Sequence, residues 1–225
     1  MTSRDQSAEI SWTDGGVPVS DRFGDPYFSL KGGLEETRHV FLSGNGLPDR
    51  LADGFHIAEL GFGTGLNLLA LQIAFAAMGR HGTLRFTSFE AFPMRAGDME
   101  TALSAFPEAL AAATPLLAQW AEGRSRIALP GVEAEILLGD ARTTLPAWQG
   151  RADAWFLDGF SPARNPEMWG ENILQAVARH TAPGGTFATY TAAGHVRRAL
   201  AGAGFTVERR PGFGSKRHMS VGRLP

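Results

Sequence analysis

The chain has 225 residues, 44% of them hydrophobic, which suffices for one large α/β domain with a proper core. It has no cysteine, so a disulfide framework, a thiolate metal site and a cysteine nucleophile are excluded; no metal is expected, and a reducing, cytoplasmic setting agrees with this. The net charge of −2 says little about partners, but residues 1–60 hold ten acids and five bases while residues 195–225 hold seven bases and one acid, so a basic C-terminal face is a candidate for phosphate binding.

The N-terminus, Met1-Thr-Ser-Arg-Asp-Gln, is polar and does not read as a secretory signal, and no apolar run approaches the roughly 18 residues that span a bilayer. A short strand is expected around Ile10-Ser-Trp12. Val19 to Ser29 is dense in turn formers and aromatics, among them Tyr27, a candidate substrate contact. Gly32 to Leu42 reads as a helix with Glu35 and Glu36 in its first turn, where the helix dipole favours acids, and Asn45-Gly46 and Pro48 end it. Residues 1–54 therefore precede the first core strand, as an extension that packs on the sheet edge or caps the site. The core is expected over 55–225.

The chain is organised around His56-Ile-Ala-Glu-Leu-Gly61-Phe-Gly63-Thr-Gly65-Leu-Asn67. An apolar strand over 55–60 runs into three alternate glycines and then into a helix over 66–78. Strand, glycine turn and helix start together place open backbone N–H groups and a partial positive charge beside a ligand. The dinucleotide fingerprint puts its third glycine at position 66, which here is Leu66, so the nicotinamide and flavin reading is weakened. G-x-G-x-G after a strand carrying Glu59 resembles motif I of class I S-adenosylmethionine (SAM) methyltransferases.

Thr83 to Glu90 alternates as a strand should, and it delivers Glu90 to the carboxyl edge of the sheet, where an acid can accept both hydroxyls of a ribose. Residues 94–130 read as helical with breaks at Pro107 and Pro115, a possible small helical insert. Val132 to Leu138 is the third strand and ends at Gly139-Asp140-Ala141. Residues 154–157 form the fourth, beside the glycine-loop strand, and deliver Asp158 ahead of Gly159-Phe160-Ser-Pro. A carboxylate there can orient an amine, accept its proton and steady positive charge, and Phe160 can stack a flat base. Trp169 reads better as core. A helix over 171–180 ends at Pro183-Gly-Gly. Thr186 to Thr191 is the fifth strand, 194–201 a helix, and 205–210 with 218–223 a terminal strand pair. The pattern is an α/β, Rossmann-like, seven-stranded and mostly parallel sheet whose last strand is antiparallel.

With these stretches laid out, the chain resembles the methyltransferase half of the bifunctional bacterial tRNA wobble-uridine enzyme MnmC and its stand-alone form, often called MnmD. The blocks that carry the resemblance include Gly33-Leu-Glu-Glu-Thr-Arg-His-Val-Phe-Leu42, Gly61-Phe-Gly-Thr-Gly-Leu-Asn67, Ser88-Phe-Glu90, Gly139-Asp140, Asp153-Ala-Trp-Phe-Leu-Asp-Gly-Phe160, Asn165-Pro166, Met168-Trp169, Pro183-Gly-Gly-Thr and Gly212-Phe-Gly with Lys216-Arg217. They run from about residue 18 to residue 223. The block ending at Phe160, with Asn-Pro and Met-Trp behind it, is specific; the glycine loop alone is not.

The resemblance implies N-methylation by SAM of the 5-aminomethyl group of (2-thio)uridine at the tRNA wobble position, with S-adenosylhomocysteine as coproduct. It places Gly61, Gly63 and Gly65, with Phe62, Thr64 and Asn67 of the same loop, at the amino-acid end of SAM. Glu90 is placed at the ribose, and Asp140 with Ala141 at the adenine. Asp158 is expected to hold and deprotonate the amine beside the cofactor. Tyr27 and Phe160 are implied in base binding, and Arg197, Arg209, Arg210, Lys216 and Arg217 in contacts with the anticodon arm of tRNA. The sequence stops at Pro225, so the flavin-dependent oxidase half is expected to be absent. A separate FAD-dependent oxidase or the aminomethyl-forming machinery is the implied protein partner. Three alternatives stay open: a methyltransferase of small amines or carboxylates, a non-catalytic SAM-fold module that binds RNA or a partner oxidase, and a nicotinamide enzyme, against which Leu66 in place of glycine argues.

Overall fold

The structure, a computed structural model, describes residues 7–29 and 32–225; the first six residues of the polar N-terminal stretch lie outside it. Strands β1 (Ile10–Trp12), β2 (Pro18–Ser20) and β3 (Asp25–Pro26) form a small antiparallel sheet. Helix α1 (Gly33–Thr37) continues through a π-helical turn (Arg38–Leu42) and a 3₁₀ turn (Ser43–Asn45), and Gly46 ends the run in the left-handed region at φ 69°.

The core then alternates strand and helix: β4 (His56–Leu60), α2 (Leu66–Ala77), β5 (Leu84–Glu90), α3 (Ala96–Leu103), α4 (Pro107–Ala121), β6 (Arg126–Leu129), β7 (Val132–Leu138), α5 (Ala141–Ala147) and β8 (Ala152–Leu157). After β8 come α6 (Glu171–Arg179), β9 (Thr181–Thr189), α7 (Gly194–Gly202), β10 (Thr206–Pro211) and β11 (His218–Arg223). The strands make one eight-stranded sheet in the order β10-β11-β9-β8-β4-β5-β7-β6. Strands β7, β5, β4, β8 and β9 are mutually parallel, and β11 is antiparallel to both β9 and β10. The doubly wound sheet with an antiparallel last strand is therefore as expected.

Helices cover both faces, so the central strands β4 and β8 are buried on both faces rather than on one. All five residues of β4 are buried. Leu34, Phe41, Leu68, Leu71, Met99 and Leu116 pack one face; Leu145, Ile173, Leu174, Val177, Val196 and Leu200 pack the other. Among the described residues no helix is long and apolar enough to cross a membrane.

Three local expectations change. The sheet has eight strands rather than seven, because Arg126–Leu129 is not helical but pairs antiparallel with β7 across the turn at Gly131, where φ is 74°. Pro107 starts α4, where a missing N–H costs nothing, but Pro115 does not break the helix: Ala113 and Leu116 beside it are fully buried, and this packing holds the turn that lost a hydrogen bond. Pro183-Gly-Gly does not precede the fifth strand but lies within β9, where the register to β8 shifts between Ala152 and Ala154. Pro183 is exposed in that bulge, so it leaves no buried ladder position without a donor.

Candidate active site

The parallel strands end along one edge, and the loops that leave them surround a cavity of about 930 Å³. This is where a doubly wound sheet binds ligands. Gly61, Phe62, Gly63 and Thr64 leave β4, Glu90 to Phe92 leave β5, Asp140 to Arg142 follow β7, Asp158 to Ser161 leave β8, and Tyr190 leaves β9. Arg22, Phe23, Asp25 to Ser29, Glu36 and Thr37 from the N-terminal segment close one side, and Phe213 to Lys216, between β10 and β11, close another.

The glycine loop fits its place for two physical reasons. Gly61 sits at φ 83°, and a Cβ there would lie 3.1 Å from the Gly159 Cα, so only glycine lets the loops after β4 and β8 touch. Gly65 caps α2 at φ 76°. Gly65 is the one proposed loop contact that does not line the cavity; it packs against Leu116, Phe62 and Met99 instead.

A hydrogen-bonded chain of acids and amides runs under the floor. Ser88 Oγ donates to Glu59 Oε2 (2.7 Å), and the Asn67 amide donates to Glu59 Oε1 (2.8 Å) and to Asp158 Oδ2 (2.7 Å). Thr37 Oγ1 donates to Asn67 Oδ1 (2.9 Å). Burial pushes the Glu59 carboxyl well above its ordinary range, against the pull of Ser88 and Asn67. Burial also pushes Asp158 up to about 6, opposed by Asn67, the Gly159 amide and the positive charge of Lys216. Asp158 is thus a carboxylate at pH 7 that can still take a proton.

Glu90 accepts from the Gly63 amide (3.0 Å) and the Phe92 amide (2.7 Å), and burial raises its pKa. These bonds aim it at the glycine loop and leave lone pairs for a diol. Asp140 behaves differently. It caps α5 by accepting from the Arg142 amide (2.8 Å), and the Arg142 guanidinium beside it holds its carboxyl below the usual range. Its carboxylate is already committed to its own helix, and Arg142 also bonds Glu167.

Tyr27 and Phe160 do meet in the cavity wall: their rings lie 5.0 Å apart edge to face, and Phe160 stacks on Phe23 at 4.7 Å. Burial raises the Tyr27 phenol, so it stays neutral. Trp169 is core, as expected, with its indole N–H donating to the Phe160 carbonyl at 2.8 Å. The basic candidates are not brought together. Arg197 donates to the Ala192 carbonyl (3.3 Å) and Arg210 pairs with Glu208; neither they nor Arg209 and Arg217 line the cavity. Lys216 does line it, but its ammonium pairs with Glu36 at 2.7 Å and lies 4.3 Å over the Tyr190 ring.

Sequence reasoning assigned no site role to Glu36, Phe23 or Tyr190. The signal for Glu36 was available: it stands four residues before Val40, so it shares the buried face of its helix rather than only the dipole's favour. Tyr190 follows the end of a central strand, on the same edge as Asp158.

The alternate glycines, the acid at the end of β5 and a cavity large enough for a nucleoside and a second flat group define a class I SAM-dependent methyltransferase. The family model described as S-adenosyl-L-methionine-dependent methyltransferase matches residues 107–225, and the chain belongs to that family. SAM is its methyl donor. The chain is 47% identical, over 226 aligned residues, to the tRNA 5-methylaminomethyl-2-thiouridine biosynthesis bifunctional protein MnmC of Chromobacterium violaceum; the match covers 96% of this chain and 34% of that protein. The protein of the same name from Caulobacter sp. (strain K31) is 49% identical over 224 residues, covering 94% and 37%. The chain thus spans about a third of the length of the curated relatives it matches. Among solved structures, MnmC2 from Aquifex aeolicus superposes with a TM-score of 0.74 at 24% identity, covering 98% of this chain and 72% of that one. The precorrin-6y C5,15-methyltransferase of Geobacter metallireducens superposes at 0.55 and 14% identity, covering 96% and 100%.

Proposed function

We propose that the enzyme methylates the 5-aminomethyl nitrogen of (2-thio)uridine at the tRNA wobble position, giving 5-methylaminomethyl-(2-thio)uridine. The observation that carries this is the placement of Asp158 in one cavity with the glycine loop and an aromatic wall, in a chain nearly half identical to proteins named for making that nucleoside. Among the expected SAM contacts, Gly61, Phe62, Gly63, Thr64 and Asn67 hold the amino-acid end, Glu90 the ribose, and the edge at Asp140 and Ala141 the adenine.

SAM supplies a sulfonium methyl group. The work of the protein is to bring a neutral amine to it in line. The aminomethyl group enters as an ammonium ion. Asp158 holds it by a charge-assisted hydrogen bond and accepts its proton, which passes to solvent. The freed nitrogen lone pair forms the N–C bond as the C–S bond breaks with its electron pair to sulfur, and the product leaves as a secondary ammonium. Phe160 and Tyr27 flank the base, and the segment around Phe23, Tyr27, Phe28, Glu36 and Thr37 acts as the cap that keeps water out. The wobble base lies in a single-stranded loop, so withdrawing it from its neighbours costs little.

Arg197 on α7, Arg209 and Arg210 on β10, and Arg217 just before β11 lie outside the cavity, and in this reading they serve the anticodon-arm phosphates. Action on tRNA places the enzyme in the cytoplasm, downstream of a partner, a FAD-dependent oxidase or the aminomethyl-forming machinery, that exposes the primary amine. The test is methyl transfer from labelled SAM into tRNA from cells lacking this step, beside tRNA from cells also lacking the aminomethyl precursor. Label in 5-methylaminomethyluridine from the first pool alone is expected. No label in either pool, with SAM binding intact, would move the substrate to a small-molecule amine.

A further inference from the structure

Five contacts form a ring along one side of the cavity. The Glu36 carboxylate binds the Lys216 ammonium at 2.7 Å. That ammonium lies 4.3 Å over the Tyr190 ring. The Tyr190 hydroxyl donates to the Gly159 carbonyl at 2.8 Å, one residue from Asp158. Asp158 returns through Asn67 to Thr37, the neighbour of Glu36. The Glu36 side chain is only 9% exposed, although it lines the cavity. A nearly buried carboxylate beside a second carboxylate and an aromatic face is a set of groups that recognises a cation. Here the cation is a primary ammonium of the chain itself.

We infer that Glu36 and Tyr190 form the subsite for the substrate's primary ammonium group, and that Lys216 is its internal occupant, displaced when the aminomethyl arm enters. The inference rests on the amine substrate proposed above. Both occupants are primary ammonium groups on flexible methylene stems, so the exchange preserves charge and the cation–π contact. The anion left behind is never unpaired, which avoids the cost of a buried lone charge. Glu36 then captures the arm, and Asp158, which already feels the charges of Glu36 and Lys216, takes its proton. A loop contribution from β10–β11 makes the exchange specific: Lys216 leaves with its loop as the nucleotide enters. Because only a fraction of molecules has the subsite free, the lysine lowers apparent substrate affinity by that fraction. This is opposite in sign to the phosphate-binding role that its charge alone suggests.

The experiment measures KM and kcat for tRNA carrying 5-aminomethyluridine, together with the SAM dissociation constant, at pH 8. Glu36→Gln should raise the tRNA KM about tenfold or more, with kcat much less affected and SAM affinity unchanged. Lys216→Met should lower the tRNA KM by about threefold or more. Unchanged KM in Glu36→Gln, or a raised KM with a smaller salt slope in Lys216→Met, overturns the inference. Should Glu36→Gln fail to fold, as judged by lost SAM binding, Lys216→Met decides alone. Wild-type enzyme that leaves this tRNA unlabelled while binding SAM overturns the underlying reading and this inference with it, which separates the two failures.

Discussion

Asp158 is a carboxylate that the fold holds at a cost. Its pKa stands at about 6, against an ordinary 3.8, because burial disfavours the charge. A raised carboxyl contributes stability below about pH 4 and loses it as the pH rises through about 6. At pH 7.5 the ionised group therefore destabilises the protein by an amount on the order of 2 to 3 kcal/mol. Asp158→Asn should raise stability at pH 7.5 by about 1 to 3 kcal/mol and change it little near pH 4, as read by urea unfolding at the two pH values. The same substitution should remove nearly all turnover while sparing SAM binding, and the wild-type kcat/KM should fall on an acid limb with an apparent pKa near 6. Near-normal turnover in Asp158→Asn would sink the assignment. Glu59 is a different kind of acid: fully buried, pushed well up, and bonded by Ser88 and Asn67. Glu59→Gln keeps those partners and should lie within about 1 kcal/mol of wild type at pH 7. Glu59→Ala strands both donors and should cost about 3 kcal/mol.

At the scale of elements, β4 and β8 were legible because each is a short, mostly apolar run that ends at a glycine or an acid, and β5 because it alternates and ends on Glu90. The strand β6 was not, since Arg126–Leu129 has only four residues, two of them exposed, and is a strand because β7 offers it an edge. Pro115 and Pro183 misled for a related reason: local propensity marks a break, while packing around α4 and a bulge in β9 absorb it. The inserted last strand depends on one small residue. A Cβ on Gly222 would lie 2.3 Å from the Phe187 ring and 2.8 Å from the Thr206 carbonyl. Gly222→Ala should destabilise the protein by about 1 to 3 kcal/mol, measured by denaturant unfolding, because Phe187 is fully buried and cannot yield.

For the whole molecule, the proposed function makes the charge separation the feature that steers tRNA. The acidic N-terminal part and the basic C-terminal part both reach the cavity, one through Asp25 and Glu36, the other through Lys216. The affinity for tRNA should fall with salt at a log–log slope of about 0.7 to 0.9 per phosphate neutralised. Arg209→Ala and Arg217→Ala should each reduce that slope by about one while leaving the SAM constant unchanged. A flat salt response, measured by filter binding between about 50 and 200 mM salt, would remove the basic face from the proposed function.

What the sequence by itself determined was everything carried by short spacing: the strand–glycine–helix turn, the acids at strand ends, the doubly wound order and the blocks shared with methyltransferases. These signals survive in one dimension because period, glycine φ and chain direction are local properties. Only the tertiary structure decided which charges share the cavity. It paired Lys216 with Glu36, 180 residues earlier, left Arg197, Arg209 and Arg210 outside, and committed Asp140 to its own helix. A side chain's role depends on burial and on partners distant in sequence, and folding alone brings those to within hydrogen-bond range.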